Sequence, residues 1–220
     1  MDLKTQFNKI DVERLILVPV FIFLMLICAS GAYSYLMEHS FSDFTSTLHI
    51  VHKGLMVCFY LLTVALFFTR SQARATSSSL LARILAYAGT FMPFILIFTR
   101  SPETDITLTL LSVSIMTCGM LFALYSLKTL GRSFGIMPQA RALVRSGPYR
   151  LIRHPLYVGE IVALGGAILA GFTTAKLGIF LFSAAIQSYR AIQEEKVLQE
   201  TIPEYSVYKA ATKRFIPGMI

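Results

Sequence analysis

The sequence predicts an all-α fold: a polytopic integral membrane helix bundle with four spans, a C-terminal helical hairpin and a cytoplasmic interfacial tail. Three observations support this prediction. Hydrophobic residues form 55% of the 220-residue chain and charged residues only 15%, a balance typical of membrane proteins. The hydrophobic residues lie in runs of about the 20 residues that a bilayer requires. No polar stretch is long enough to form a separate globular domain.

Four long apolar runs predict the spans, and two shorter runs predict the hairpin. The spans cover residues 15–37, 48–69, 80–98 and 106–127. The first run is too long for a cleaved signal core, so it is expected to be an anchor. The hairpin helices cover residues 156–172 and 175–192. Beyond them the chain becomes polar, Pro203 interrupts it, and residues 205–215 are expected to form a short interfacial helix.

The distribution of lysine and arginine predicts the orientation. Basic residues precede the first span, join the second to the third, and recur six times between residues 128 and 153, whereas residues 37–47 contain none. The positive-inside rule therefore places both termini and the segment after the fourth span in the cytoplasm. Topology and anionic headgroups also account for the net charge of +8. Membrane lipids are thus expected partners, and no nucleic acid is expected.

Several residue types that often form sites are expected to have no such role here. Cys28, Cys58 and Cys118 lie in apolar runs without motif spacing, which favours plain packing. His49 and His52 are three residues apart but have no third ligand at a fixed spacing, so no metal is expected. Neither a Walker loop nor a glycine fingerprint after a strand is present, so any cofactor must be held between helices.

A dense polar segment at residues 146–160, between apolar runs, predicts a ligand site. Pro155 pushes His154 out of helical geometry and suits the first turn of the helix that follows. His154 is then at a helix mouth, where Arg150 and Arg153 would reinforce binding of anionic groups. Interfacial belt and snorkelling residues are the alternative, but they do not require two prolines and flanking glycines.

A second half of the site is predicted on the last hairpin helix. Arg190 and Glu194 are four residues apart and share one face. The short hairpin returns them to the membrane depth of His154. The alternative for this pair is an interfacial salt bridge worth a few tenths of a kcal/mol.

Small residues recur at every fourth position of the first hairpin helix. Such a ridge allows another helix to approach backbone to backbone, and a tightly packed hairpin would hold the polar segment rigid. The ridge consists of Gly159, Ala163, Ala167 and Gly171.

The ordered motifs of the C-terminal half closely resemble the isoprenylcysteine carboxyl methyltransferase family and its bacterial relatives, within a wider group that includes phospholipid N-methyltransferases. The likeness covers about residues 130–218, and the first four spans match only as hydrophobic helices. It rests on the segment 147–159, on the paired glutamates at 194 and 195, on Glu204, Tyr205 and Tyr208, and on the segment 214–217.

The resemblance implies an integral membrane methyltransferase that uses S-adenosylmethionine. Residues 1–127 would be N-terminal membrane helices, and residues 128–220 the cofactor-binding methyltransferase region with its active site in the cytoplasm. Arg190 would face the acceptor, and Arg153 is assigned with it to the catalytic residues. The resemblance also places Arg141 and Ala142 near the cofactor. The expected cofactor-binding residues are Gln139, Leu143, Val144, Tyr149, His154, Pro155, Tyr157 and Glu194.

The expected acceptor is a lipophilic or lipidated molecule that enters from the bilayer, with an isoprenylcysteine-like carboxylic acid favoured. Guanidinium pairs bidentately with carboxylate, so Arg190 supports this choice. The alternatives are a phospholipid amine or a small thiol. An amine would have to lose a proton, with Glu160 or His154 as the nearby candidates to receive it. A nicotinamide-dependent membrane reductase, and a non-catalytic membrane protein with a structural elbow, are rival hypotheses.

Overall fold

A computed structural model describes residues 11–39, 41, 43–98, 105–169 and 171–218. Across these ranges the chain is mostly helical, as the sequence predicts. The helices are α1 Val12–His39, α2 Phe44–Thr69, α3 Leu80–Phe91, α4 Ile106–Leu130, α5 Pro155–Leu169, α6 Thr174–Thr201 and α7 Tyr205–Ala211. Two short strands, β1 Ala75–Thr76 and β2 Gln139–Ala140, form an antiparallel pair.

Within the described ranges three helices, α1, α2 and α4, are long and apolar enough to cross a membrane by length and composition. The third predicted span differs, because its α-helix ends at Phe91 and a 3-10 helix covers Met92–Phe98. Pro93 explains this end, since its ring crowds the preceding turn and its nitrogen has no proton to donate. The twelve residues of α3 extend about 18 Å. That is less than a hydrocarbon core of about 30 Å, so the number of spans stays a prediction.

Helices α1 to α6 contribute to one hydrophobic core. At its centre, Phe21 of α1 packs against Tyr60 and Phe67 of α2 and Phe91 of α3, with ring centroids 5.8 to 6.2 Å apart. Leu156 and Tyr157 of α5 and Ala191 of α6 belong to the same cluster. The hairpin helices are therefore packed into the bundle formed by the first four helices.

Helices α4 and α5 cross with their backbones in contact. A Cβ added to Gly119 would lie 2.4 Å from the nitrogen of Ala163, and one added to Gly159 would lie 2.6 Å from the nitrogen of Ala123. The hydroxyl of Ser112 also donates to the Gly166 carbonyl across this crossing, at 2.8 Å. The predicted small-residue ridge does admit a close helix. That helix is α4, whereas the tightly packed pair was expected to be the hairpin.

An ion cluster ties the start of α1 to the end of α2. The guanidinium of Arg70 donates to Glu13 at 2.8 Å and to both carboxylate oxygens of Asp11. Glu13 and Arg70 are almost fully buried, with side chains 3% exposed. The other oxygen of Glu13 accepts from the backbone N–H of Met137 at 3.2 Å. The cluster thereby holds the loop that follows α4 at Met137. The β1–β2 pairing holds the same loop at the next strand, Gln139–Ala140.

Candidate functional site

The polar segment between α4 and α5 makes a sharp turn at residues 146–155, which we call the elbow. A 3-10 turn covers Gly147–Arg150, and Gly147 has a φ of +54°, a conformation that favours glycine. Helix α5 then begins at Pro155, and its first backbone bond runs from Val158 N–H to the His154 carbonyl at 3.2 Å. His154 is buried at the mouth of α5, as the two prolines predict.

One cavity, between α5, α6 and the loop after α4, brings the predicted site together. Nine of the ten predicted site residues line it, including both arginines. Pro155 is the exception: it is fully buried at the start of α5, where it shapes the turn. The cavity has a volume of about 140 Å³. The nine residues are Gln139, Leu143, Val144, Tyr149, Arg153, His154, Tyr157, Arg190 and Glu194.

Arg190 and Glu194 each bind groups outside their own helix. The hydroxyl of Tyr157 donates to Glu194 Oε1. The Arg190 guanidinium lies over the Tyr157 ring, 4.9 Å from its centroid, which is cation–π geometry. Arg190 also donates to the Ile136 carbonyl at 3.0 Å and, within α6, to the side chain of Gln187 at 2.9 Å. In the described part of the chain no salt bridge joins these two side chains, and both contact Tyr157.

Glu195 accepts hydrogen bonds from two arginines and a histidine beside this cavity. It accepts from Arg153 Nε at 2.9 Å, from Arg214 Nε at 2.9 Å and from His154 Nε2 at 3.2 Å. Burial alone would raise the pKa of Glu195. The hydrogen bonds from His154, Arg214 and Arg153 outweigh that effect and hold the pKa of Glu195 well below its usual value. A charged carboxylate thus joins the elbow to the chain after α7.

Arg153 is placed mainly to hold this later part of the chain. Besides Glu195, its guanidinium donates to the carbonyls of Lys209, at 3.1 Å, and Thr212. Its backbone N–H donates to the Lys213 carbonyl at 2.8 Å, and that of His154 to the Arg214 carbonyl at 3.1 Å. Arg153 lines the cavity, but its guanidinium donates hydrogen bonds to other residues of the protein. Its predicted catalytic part stays a prediction.

Two tyrosines of α7 close one side of the cavity. Tyr205 and Tyr208 both line it, and the Tyr208 hydroxyl donates to the Tyr149 carbonyl at 2.7 Å. Burial raises the pKa of Tyr208 to about 12, so the hydroxyl stays a donor at neutral pH. The predicted tail helix over residues 205–215 ends earlier, at Ala211, and a parallel bridge between Ile152 and Lys213 follows.

A second cavity of about 240 Å³ adjoins the first and is lined mainly by apolar side chains of α1 to α6. Four residues line both cavities: Phe21, Phe59, Thr90 and Glu160. Glu160 Oε2 accepts from Gln187 Nε2 at 2.6 Å. Sequence reasoning named Glu160 only as a possible proton acceptor and missed Gln187, whose place beside it depends on how α5 and α6 pack.

Sequence reasoning also missed the hydrogen bonds of Glu195 beside the cavity, and the cluster around Arg70 that holds the loop after α4. The adjacent glutamates at 194 and 195 were the available signal, since neighbouring positions on a helix point to different partners. Arg141 lines the cavity, as the resemblance implies, and donates to Gln139 Oε1 at 2.6 Å.

The residues expected to have no binding role lie apart from the first cavity. Within the described ranges, the three cysteines are free thiols. The same ranges contain no group of three or more His, Cys, Asp or Glu side chains that could hold a metal ion. His52 is buried and lines the second cavity.

Comparison with known proteins agrees with the resemblance seen in the motifs. Residues 107–200 match the profile of the isoprenylcysteine carboxyl methyltransferase (ICMT) family. The match contains most of α4, the elbow, α5 and nearly all of α6. It therefore includes a helix that the motifs alone matched only as a hydrophobic segment, and it ends before α7.

Two curated proteins are similar over about half of this chain. The cobalt-zinc-cadmium resistance protein CzcN of Cupriavidus metallidurans is 32% identical over 115 residues, which are 52% of this chain and 50% of that protein. The nickel-cobalt-cadmium resistance protein NccN of Alcaligenes xylosoxydans xylosoxydans is 31% identical over 119 residues, 50% of this chain and 54% of that protein. The chain thus spans about half the length of the curated relatives it matches.

Proposed function

We propose, from the match of residues 107–200 to the isoprenylcysteine carboxyl methyltransferase family, that the chain transfers a methyl group from S-adenosylmethionine to a lipophilic acceptor. One observation carries the proposal. The first cavity, at the elbow, is lined by nine of the ten residues assigned to such a site, although they come from three separate stretches of the chain. CzcN and NccN are named for metal resistance; the proposal takes its chemistry from the family and the cavity.

The cavity residues fit the proposed cofactor. Three buried polar atoms without a hydrogen-bond partner in the described ranges belong to residues that line it: Arg141 Nε, Arg190 Nε and the Tyr205 hydroxyl. Such atoms carry a desolvation cost that a polar ligand would remove. Glu194 would accept from the ammonium or ribose hydroxyls of the cofactor, beside His154, while Gln139, Leu143 and Val144 would contact it from the loop.

The chemistry required of the protein is mainly positioning. The bound cofactor would supply an electrophilic methyl group on a sulfonium, and an in-line displacement needs its reactants held close and aligned. The ring of Tyr157 can stabilise a neighbouring cation through its face. Its position is fixed from two sides, by its hydrogen bond to Glu194 and by the guanidinium of Arg190 above the ring.

The acceptor we favour is a carboxylic acid of the isoprenylcysteine type. Its apolar chain would occupy the second cavity, which adjoins the first at Phe21, Phe59, Thr90 and Glu160. Its carboxylate would bind Arg190, whose side chain is buried and whose Nε has no partner in the described part of the chain. Membrane lipids would surround the helices and deliver this acceptor sideways.

The proposed activity can be tested with purified protein in detergent. Titration with S-adenosylhomocysteine and, separately, with a reduced nicotinamide distinguishes a methyltransferase from a reductase. We expect binding of the first only. Label transfer from S-adenosylmethionine is then measured with a prenylcysteine analogue, phosphatidylethanolamine and a small thiol. Base-labile label in the prenylcysteine alone would indicate a methyl ester. If the protein bound the reduced nicotinamide and did not bind S-adenosylhomocysteine, the proposal would be contradicted.

Arg190→Lys tests the assignment of the acceptor, because lysine keeps the charge but loses the planar fork. We expect ester formation to fall while the homocysteine compound still binds. Transfer to the amine lipid that is undiminished in this variant would refute Arg190 as the carboxylate anchor.

We also propose that the cavity opens to the cytoplasm, on the support of the lysine and arginine distribution. The exposed Arg74, in the loop that pairs with the cavity loop, reports on this side. In a cysteine-free background, Arg74→Cys should react with a membrane-impermeant maleimide only after the cells are permeabilised. Labelling of intact cells would place the loop on the opposite side.

A further inference from the structure

The second cavity is mainly apolar, yet two polar side chains line the part of it that lies away from the elbow. They are His52 of α2 and Ser183 of α6, which are 5% and 1% exposed. The Nδ1 atom of His52 and the hydroxyl of Ser183 are buried and have no hydrogen-bond partner in the described part of the chain. Unpaired buried polar groups carry a desolvation cost that a polar ligand group would remove.

The helices show how far this part of the cavity lies from the first cavity. Phe59 of α2 and Glu160 of α5 line both cavities and therefore mark their boundary. His52 lies seven residues before Phe59, and Ala167, which also lines the second cavity, lies seven residues after Glu160. Seven residues of α-helix extend about 10 Å, so the second cavity reaches roughly 10 Å beyond the boundary, with His52 at its far end.

Ser183 lies on the α6 side of the same far part. It is four residues before Gln187, whose amide donates to Glu160, so it lies about 6 Å beyond the boundary. Serine and threonine hydroxyls in helices can donate to the carbonyl four residues earlier, as those of Thr90 and Ser188 do here. Ser183 makes no such bond within the described ranges. Its hydroxyl therefore keeps its capacity to donate and to accept.

The chemistry of these two groups favours a neutral hydroxyl as their partner. A neutral imidazole has one donor and one acceptor nitrogen, and a serine hydroxyl can do both. A ligand hydroxyl can therefore pair with Ser183 and with either tautomer of His52, whereas a carbonyl can only accept. Among the described residues that line the second cavity, Glu160 at the boundary is the only Asp, Glu, Lys or Arg. A charged ligand group at the far end would thus be buried without a counterion, at a much higher cost.

We propose that the far end of the second cavity is a subsite for a hydroxyl group, held by His52 and Ser183, so that the bound lipophile carries a hydroxyl roughly 6 to 10 Å along its chain from the boundary. The inference rests on the proposed function, in which the chain of the acceptor occupies this cavity, and it specifies the far end of that chain. The head group plays no part in it. His52 and Ser183 act as binding residues, and the methyl transfer does not pass through them.

The test compares ligands that differ only at the end of the chain. Tritiated N-acetyl-S-geranylcysteine and its derivative with a hydroxyl on the terminal carbon are titrated against immobilised parent protein in detergent, and a farnesyl pair extends the reach. A hydroxyl buried without partners weakens binding, so tighter binding of a hydroxylated compound is diagnostic. We expect its Kd to be lower by roughly 10-fold at the chain length that reaches the subsite, the scale of one or two hydrogen bonds to unpaired buried groups.

Three results would overturn the inference. One is equal affinity within both pairs, which water bound at His52 and Ser183 would produce. The second is weaker binding of the hydroxylated compound in both pairs. The third is binding of none of the four compounds.

Ser183→Ala and His52→Phe then assign the preference to these side chains. Each removes a buried polar atom without a described partner, so the fold should be retained. We expect each variant to reduce the preference for the hydroxylated compound and the double variant to abolish it, while the plain compound binds as in the parent. Thr117→Val is the matched control, because the Thr117 hydroxyl is also buried and unpaired among the described residues but lines neither cavity. A preference that survives in the double variant would refute the subsite.

S-adenosylhomocysteine separates failure of the inference from failure of the proposed function. His52 and Ser183 do not line the first cavity, so the variants should bind this compound as the parent does. If the parent bound it and showed no preference for a terminal hydroxyl, the inference alone would be refuted. If the parent preferred the hydroxylated compound but did not bind S-adenosylhomocysteine, the subsite would stand and the proposed function would be refuted.

Discussion

Tyr157 of α5 donates its hydroxyl to Glu194 of α6, and the same ring lies against the guanidinium of Arg190 one turn earlier on α6. One tyrosine therefore connects two residues that helix spacing places on a common face. The contact fixes α5 and α6 in register at the cavity. The Nε of Arg190 keeps no hydrogen-bond partner in the described part of the chain.

Glu194→Gln should weaken binding of S-adenosylhomocysteine by about 1–3 kcal/mol, the scale of a lost hydrogen bond to a charged group. The glutamine keeps the size of the side chain and can still accept from Tyr157, so the fold should be retained. Calorimetric titration in detergent measures the affinity, and a thermal melt checks the fold. The exposed Glu200→Gln on the same helix serves as control. Unchanged affinity in Glu194→Gln would remove α6 from the cofactor site.

The stability of the elbow should depend on pH through Glu195. The pKa of Glu195 is lower in the folded protein than its ordinary value of 4.5, despite burial, because His154, Arg214 and Arg153 donate to it. Its charged form therefore stabilises the fold fully above about pH 4.5, and this contribution is lost as the pH falls through the folded pKa.

Glu195→Gln should accordingly be less stable than the parent at neutral pH, and the difference should narrow below pH 4.5. Thermal melts of both proteins between neutral and acidic pH measure the difference. A difference that stays constant, or grows, on acidification would show that the carboxylate is not the group responsible.

The glycine contact between α4 and α5 should be sensitive to a single methyl group. A Cβ at position 159 would lie 2.6 Å from the Ala123 nitrogen and 2.9 Å from its Cβ, so the helices would have to separate. Gly159→Ala should lower the free energy of unfolding by about 1–3 kcal/mol, as overpacking does. Gly178→Ala on α6 is the matched control, because its added Cβ would meet nothing within 4 Å. Equal stability of the two variants would contradict the close crossing.

Arg70→Ala should be strongly destabilising, since removal of one partner of a buried ion pair typically costs about 3–5 kcal/mol. It leaves Glu13 buried without its cation and loosens the Met137 contact, so cofactor affinity should fall as well. The control is Arg74→Ala, which removes an exposed guanidinium from the same loop. Melting temperature and affinity, measured together, report on both effects. If Arg74→Ala lowered the melting temperature and the affinity as much as Arg70→Ala does, the ion cluster would not be responsible for the loss.

Much of the site could be predicted because proline and glycine act locally. Pro155 disfavours helical geometry at the residue before it and suits the first turn of a helix. The start of α5 and the position of His154 therefore follow from the sequence. The four-residue spacing of Arg190 and Glu194 likewise fixes a common face. These features need no knowledge of tertiary packing. The side chains of His154, Arg190 and Glu194 all line one cavity.

The contacts that depend on how helices pack could not be predicted. The small residues of α5 indicate a close helix but not which one, and α4 rather than α6 takes that place. Glu195 has its main partners at Arg153, His154 and Arg214, which only the folded chain brings together. The change from α-helix to 3-10 helix at Met92 escaped prediction for a different reason, since the apolar run that suits the bilayer does not reveal the effect of Pro93 on the helix.

The hydrogen bonds of the elbow have a consequence for biosynthesis. The backbone N–H groups of Arg153 and His154 bind the carbonyls of Lys213 and Arg214, sixty positions later. A ribosome synthesises this protein from the amino end, so the helices can insert long before those carbonyls exist. The elbow is completed only when residues 213 and 214 have left the ribosomal tunnel. A nascent polypeptide shorter than this would thus occupy the membrane without the backbone bonds that close the elbow.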